Sequence, residues 1–407
     1  MSSTYLLSPA AVRDPYTFFA ALREQGPVVW LPEHHAWLFT TYDEVHAGFR
    51  DLRLSSDRLT PLEQRLDPAR RALLGQTFEL LRGWMVFHDP PDHERLREPL
   101  RRTFTPRTVE NLRPHVEQIV GQLLDTMADN GECDLVAELA FPLPAIVIAE
   151  LLGVPPEDRE RFKTWSTMLA AIVFGGSNRP DQAEVAAAGS AQFADYFGWL
   201  IRKYTEEPAD NLVSALIAVT REEAAEGGDG LTPSELVGAL TLLLFGGHET
   251  TTNFIGNASL ALLQFPSEQV WLREHPEAIA AAVEELHRYD GPTKIMVRNV
   301  SVAHERGGCS LAPGQTVFLG VGAANRDPAM FPDPDRLWLQ RPDSQKHLGF
   351  GYGIHYCLGA PLARLEGQIA LNALLQRFDR FELCTDELDY GATILGRGLR
   401  RLPVRVG

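Results

Sequence analysis

The stretch FGYGIHYCLGAPLARLE, from Phe350 to Glu366, decides how this chain is read. Gly351, Gly353 and Gly359 surround Cys357, and glycines at that density permit a tight turn and close approach of backbone to a flat ligand. Beyond it, Ala360, Leu362, Ala363, Leu365, Ile369 and Leu374 follow a helical pattern. Cys357 therefore falls at or just before a helix amino terminus, where the dipole and free N–H groups favour thiolate over thiol. A lone cysteine is usually a small buried hydrophobe, and Cys133, Cys309 and Cys384 are read that way. At Cys357 the glycines, the helix start and His355 two residues upstream argue together for a metal ligand.

Upstream lies a second unusual segment. Thr232, Pro233 and Glu235 form a capping box with proline at the first helical position, and the apolar run after them stops only at Pro266. The spacing predicts a helix of about 33 residues and about 50 Å. Its middle, Gly246-Gly247-His248-Glu249-Thr250-Thr251-Thr252, sets two glycines, an acid and three β-branched residues where helix propensity is poor. Small residues let a ligand approach the backbone, and a threonine hydroxyl can open the hydrogen-bond ladder. A tight helix crossing would use small residues too, so the segment alone leaves both readings open. A zinc motif H-E-x-x-H fails, since Thr252 stands where histidine is required. Gly320-Val321-Gly322-Ala323-Ala324-Asn325 resembles a dinucleotide fingerprint, but asparagine at its last position rules it out.

The rest of the chain sets the frame. Through the first two thirds apolar residues recur at three and four spacings, as in Val109, Leu112, Val116, Ile119, Val120, Leu123 and Leu124. Strand-like pieces at 28–31, 36–40 and 316–321 cluster towards the two ends. The fold class is mainly α with a minor β region, in one domain spanning 1–407 without linker or repeat. Two segments, 56–87 and Gly175–Pro180, read as adjustable loops. Of 407 residues, 38 are lysine or arginine and 54 aspartate or glutamate, a net charge of −16 that argues against nucleic acid as a partner. No apolar run reaches the roughly 20 residues that span a bilayer, and the four cysteines show no C-x-x-C spacing. A cytoplasmic monomer, neither exported nor membrane-anchored, is the expectation.

On these residues the chain resembles the cytochrome P-450 family over nearly its whole length. The signature F-G-x-G-x-H-x-C-x-G is complete from Phe350 to Gly359, and the central-helix element A/G-G-x-D/E-T matches Gly246, Gly247, Glu249 and Thr250. The resemblance implies haem b between the long central helix and the cysteine loop. Cys357 would be the metal ligand, His355 a propionate contact, and Phe350, Gly351 and Gly359 part of the cofactor site. Glu249 and Thr250 would deliver protons to dioxygen and assist O–O cleavage. His93, Arg97 and Arg298 become further haem contacts, as cations suit propionates. The family's E-x-x-R pair matches Glu285 and Arg288, read as a structural triad completed by Arg341.

The implied activity is monooxygenation: one oxygen atom of O2 enters a mainly hydrophobic small substrate by hydroxylation or epoxidation. Its pocket would draw on Trp84, Met85, Val86, Leu243, Leu244, Gly247, Ile295, Met296, Val297 and Ile394. Among these Lys294 stands out, as a partner for a substrate carboxylate or a side chain reaching solvent. A fatty acid, a terpenoid and a polyketide all stay open as substrate. The chain ends 50 residues after Cys357, so electrons from NAD(P)H are expected through a separate ferredoxin and ferredoxin reductase. Arg95, Arg101, Arg102 and Lys346 form either a basic dock for such a partner or a solvated cluster without function. Two rivals are a haem-thiolate peroxygenase, isomerase or dehydratase, against which the Glu249–Thr250 pair argues, and a haem-binding sensor without catalysis.

Overall fold

The structure is a computed structural model that describes residues 5–174, 181–393 and 395–407. The expected loop at Gly175–Pro180 and the pocket candidate Ile394 lie outside the described residues. Helices dominate, with a minor set of small sheets, as the hydrophobic periodicity requires. The chain separates into two compact units built from interleaved segments.

The first unit comprises Met1–Leu54, Val109–Pro144 and Glu249–Gly407. The strands Val28–Leu31, Ala36–Phe39, Thr316–Leu319 and Met296–Val300 lie side by side in that order; the first three match the strand-like pieces of the sequence, and the fourth was not read from it. Thr316–Leu319 runs parallel to Ala36–Phe39 and antiparallel to Met296–Val300. Because strand side chains alternate between faces, the sheet builds two cores. One gathers Phe39, Phe49, Val317 and Leu319, with Met296 against it. The other gathers Phe19, Leu38, Phe318 and Ile295, with Val297 against it. A second sheet joins Glu132–Asp134, Pro403–Val406 and Phe381–Leu383, and the helix Ala360–Arg377 packs on Arg113–Asn130.

The second unit comprises Ser55–Thr108 and Ala145–His248. The loop expected over 56–87 is instead largely helical, at Leu59–Arg65, Pro68–Leu73 and Gly75–Arg82. Its prolines and capping acids mark starts rather than breaks. The Asp67 carboxylate accepts from the N–H groups of Ala69 and Arg70 ahead of Pro68, and Phe78, Leu80 and Leu81 then bury one face. Helices Arg159–Phe174 and Gln182–Glu206 pack through rings of Phe162, Trp165, Phe193, Tyr196 and Phe197.

The central helix runs Pro233–Gln264 over 32 residues, close to the length its caps predict. The capping box closes reciprocally: Glu235 N–H donates to Thr232 Oγ1 at 3.3 Å and Thr232 N–H to Glu235 Oε2 at 2.9 Å. Near its start, a Cβ on Gly238 would lie 2.6 Å from the Cα of Gly83, so this helix and the end of Gly75–Arg82 touch backbone to backbone, as only glycine permits.

Candidate active site

The cysteine loop follows from its glycines. Gly351 and Gly353 hold φ of +71° and +72°, a left-handed backbone that β-carbon-bearing residues resist. Between them the chain reverses, and Cys357 N–H donates to the Phe350 carbonyl at 2.9 Å. Cys357 stands three residues before the helix Ala360–Arg377 and is half-buried, as is His355. Among the described residues, a Cβ added to Gly359 would meet only Cys357 Sγ, at 3.9 Å. A thiol with open surface, at a helix amino end and flanked by side-chain-free backbone, suits a flat metal-centred group. The residues present therefore fit haem with a thiolate ligand.

The loop is braced from beneath. Glu284, one turn before Arg288, receives a two-pronged hydrogen bond from Arg364 at 2.6 and 2.8 Å. Burial alone would raise the Glu284 carboxyl, but Arg364 and His347 hold it down at about 2. Arg364 also donates to Tyr356 Oη at 3.0 Å and lies 4.4 Å over the Phe350 ring. Phe49, which the sequence reading did not single out, lies between the loop and Arg298: a Cβ on Gly351 would be 3.6 Å from its ring, and the Arg298 guanidinium sits 6.0 Å from the ring centre. Arg298 is buried and bonds the Val297 carbonyl.

On the central helix, burial changes abruptly. Gly246–Thr250 keep accessible surface while most residues of 251–262 are buried, and a Cβ on Gly246 would meet nothing within 4 Å. Glu249 is largely buried, and burial pushes its carboxyl up to about 7. Glu249 and Thr250 belong to the same unit as Cys357, His355 and Arg298.

Other expected site residues lie in the second unit. His93 is buried on the helix Asp92–Thr103 and Arg97, one turn on, is half-buried. Trp84 is almost fully enclosed, stacked on Phe87 and tilted against Phe245, and its Nε1 meets no acceptor among the described residues. Met85 and Leu244 are buried, Val86 and Leu243 half-buried, and a Cβ on Gly247 would press Ile148 at 3.1 Å.

Three readings need correction or completion. Lys294 neither reaches solvent nor stands free for a substrate carboxylate, because its ammonium is buried on Asp290, Tyr16 and the Gly291 carbonyl. Ile295 is spent in the core rather than facing a pocket. The four cations named as a dock are each matched by acid: Arg95 by Glu235, Arg101 by Glu98, Arg102 by Glu222 and Glu223, and Lys346 by Asp343. They make no bare positive patch. Around Glu285, Arg288 donates twice at 2.7 and 2.8 Å and Arg341 once at 3.1 Å, and all three are buried.

Sequence reasoning passed over Glu366. It is fully buried, neither oxygen has a hydrogen-bond partner among the described residues, and burial pushes its carboxyl well up. The signal was present, since Glu366 falls on the apolar stripe of Leu362, Leu365 and Ile369.

The "Cytochrome P450" family model matches residues 191–389. Over 412 residues the chain is 41% identical to the vitamin D(3) 25-hydroxylase of Pseudonocardia autotrophica, covering 99% of this chain and 96% of that one. Over 400 residues it is 38% identical to the polyketide biosynthesis cytochrome P450 PksS of Bacillus subtilis (strain 168), covering 96% and 95%. The chain belongs to the cytochrome P-450 family. Among solved members of that family, P450BioI in complex with hexadec-9Z-enoic acid ligated acyl carrier protein superposes with a TM-score of 0.89 at 35% identity, covering 98% of this chain and 99% of that one. Membership makes this cytochrome P-450 a monooxygenase that uses haem and O2. No helix among the described residues is long and apolar enough to cross a membrane.

Proposed function

We propose that this cytochrome P-450 inserts one oxygen atom of O2 into a mainly hydrophobic small organic substrate, with Cys357 as the haem ligand and Glu249 and Thr250 as the proton-handling pair. The observation that carries the reading is the half-buried Cys357 in a glycine-turned loop at the amino end of Ala360–Arg377. Haem, when bound, supplies oxygen activation, which a thiolate ligand favours by donating electron density.

The chain's own residues set the conditions. The helix amino end favours thiolate at Cys357, and the Phe350 carbonyl on its N–H fixes the loop. Glu249, with its carboxyl near 7, holds a proton at neutral pH and can release it. The Thr250 hydroxyl, next in the chain, both donates and accepts. Electrons come from NAD(P)H through a ferredoxin and its reductase, in the cytoplasm. Relatives named for vitamin D(3) and for 6-deoxyerythronolide B support a bulky, largely apolar substrate.

The test is the optical spectrum of dithionite-reduced protein under carbon monoxide, for wild type and Cys357→Ser. A strongly red-shifted Soret band in wild type alone is the expected result. A wild type that binds no haem, or that shows the shorter-wavelength band of histidine ligation, overturns the assignment. Efficient turnover on peroxide alone, and none with ferredoxin, reductase and NAD(P)H, would replace monooxygenation by a peroxygenase reaction.

A further inference from the structure

A second polar centre lies away from the cysteine loop, in the same unit. Asp290 ends the helix Ile279–Asp290, and its one carboxylate serves two buried cations. Lys294 Nζ donates to Oδ1 at 2.5 Å and Arg397 to Oδ2 at 3.1 Å. Tyr16 Oη donates to Oδ1 at 2.7 Å and accepts from Lys294 at 2.6 Å. Arg397 also donates to the carbonyls of Val12 and Arg13.

Backbone bonds converge on the same hub. The N–H groups of Lys294 and Ile295 donate to the Leu395 carbonyl, and that of Arg397 to the Pro292 carbonyl. Thr293 bridges Gly396. Asn257 of the central helix, two turns beyond Thr250, donates its amide to the carbonyls of both Asp290 and Arg397 at 3.2 Å. A buried carboxylate with two buried cations is weak as a source of stability and strong as a source of specific geometry.

We infer that the Asp290–Lys294–Arg397 hub is the positioning device that fixes segments 291–297 and 395–397 against each other and against the central helix, and so sets how bulky molecules fit beside the haem. This rests on the reading that the half-buried Met296, on the strand face it shares with Phe49, faces the substrate. Lys294 is in this sense a positioning residue: it touches no reacting atom, and the pair of segments it joins carries the effect.

The test uses the full-length holoenzyme with Lys294→Met and two iron-binding probes, imidazole, which is small, and 4-phenylimidazole, which extends into the space beside the haem. The expected result is a 4-phenylimidazole Kd raised by about fivefold or more, with the imidazole Kd within about twofold of wild type and the carbon monoxide band unchanged. Gly396→Ala is the second variant, for the case in which Lys294→Met does not fold. A Cβ there lies 2.6 Å from the Pro292 carbonyl, which pushes the same segments apart with every charge intact, and the same selective loss is expected. Unchanged affinity for both probes, with only a lowered Tm, overturns the proposal and leaves the hub as a structural cross-link. Equal weakening of both probes overturns it too. A wild type without the red-shifted carbon monoxide band is a different failure, that of the haem-thiolate reading itself.

Discussion

Glu285 and Glu249 are both largely withdrawn from water, yet the chain treats them in opposite ways. Glu285 meets Arg288, Arg341 and the Trp338 N–H, so each oxygen is satisfied. Glu249 has burial as the sole cause of its shifted carboxyl, which sits near 7. Pairing a buried acid makes it part of the framework, whereas withholding a partner leaves its proton available. Glu366 is the extreme of the second kind, fully enclosed with no hydrogen-bond partner among the described residues.

The contrast breaks first at the paired end. Arg288→Ala leaves Glu285 charged and enclosed, and a loss of about 3–5 kcal/mol in folding stability is expected, read from denaturant unfolding. If Arg288→Ala costs less than about 1 kcal/mol, the triad is no more than a surface-grade pair and the comparison collapses. At the unpaired end, Glu249→Gln is expected to slow turnover about a hundredfold. Wild-type turnover should fall as pH rises through about 7, where Glu249 loses the proton it donates, and the variant should show no such inflection. The smallest effect belongs to Glu366→Gln. Below the ordinary carboxylate range the folded and unfolded chains both hold this proton. Above it the unfolded chain ionises while the folded one does not, so wild-type stability falls as pH rises. The variant is therefore expected to be more stable at neutral pH, by on the order of 1 kcal/mol, with the gain vanishing towards pH 4. A thermal-unfolding series across pH reads it.

How far the sequence carries depends on how local the cause is. The central helix was legible because its capping box and terminal proline stand next to it in the chain, and the strand at Val28–Leu31 because a short run of β-branched and aromatic residues is a near-neighbour signal. Segment 56–87, read as a loop, misled because Asp67 and Pro68 act as a helix start. Lys294 was illegible for a different reason. Asp290 lies one turn away, but Tyr16 is 278 residues distant, and Arg397 reaches Asp290 across 107. No pattern along the chain announces a partner that far off. Glu366 could have been found, as an acid at an apolar position of its own helix.

Beneath the cysteine loop lies a column of flat rings. Phe254 of the central helix stacks on His287 at 3.6 Å and 2°, and His287 in turn faces His347 at 5.5 Å and 8° and Phe350 at 4.4 Å. Gly367 closes the far side, where a Cβ would strike Phe254 at 2.6 Å. Burial and the neighbouring His347 push His287 well down, so its ring stays uncharged. The first two pairs are near-parallel and the last, His287 on Phe350, is tilted by 51°, and close-packed rings resist being pressed together. The column is thus a spacer: with Arg364 holding the loop to Glu284, the enclosed rings set the height of Phe350 above the central helix.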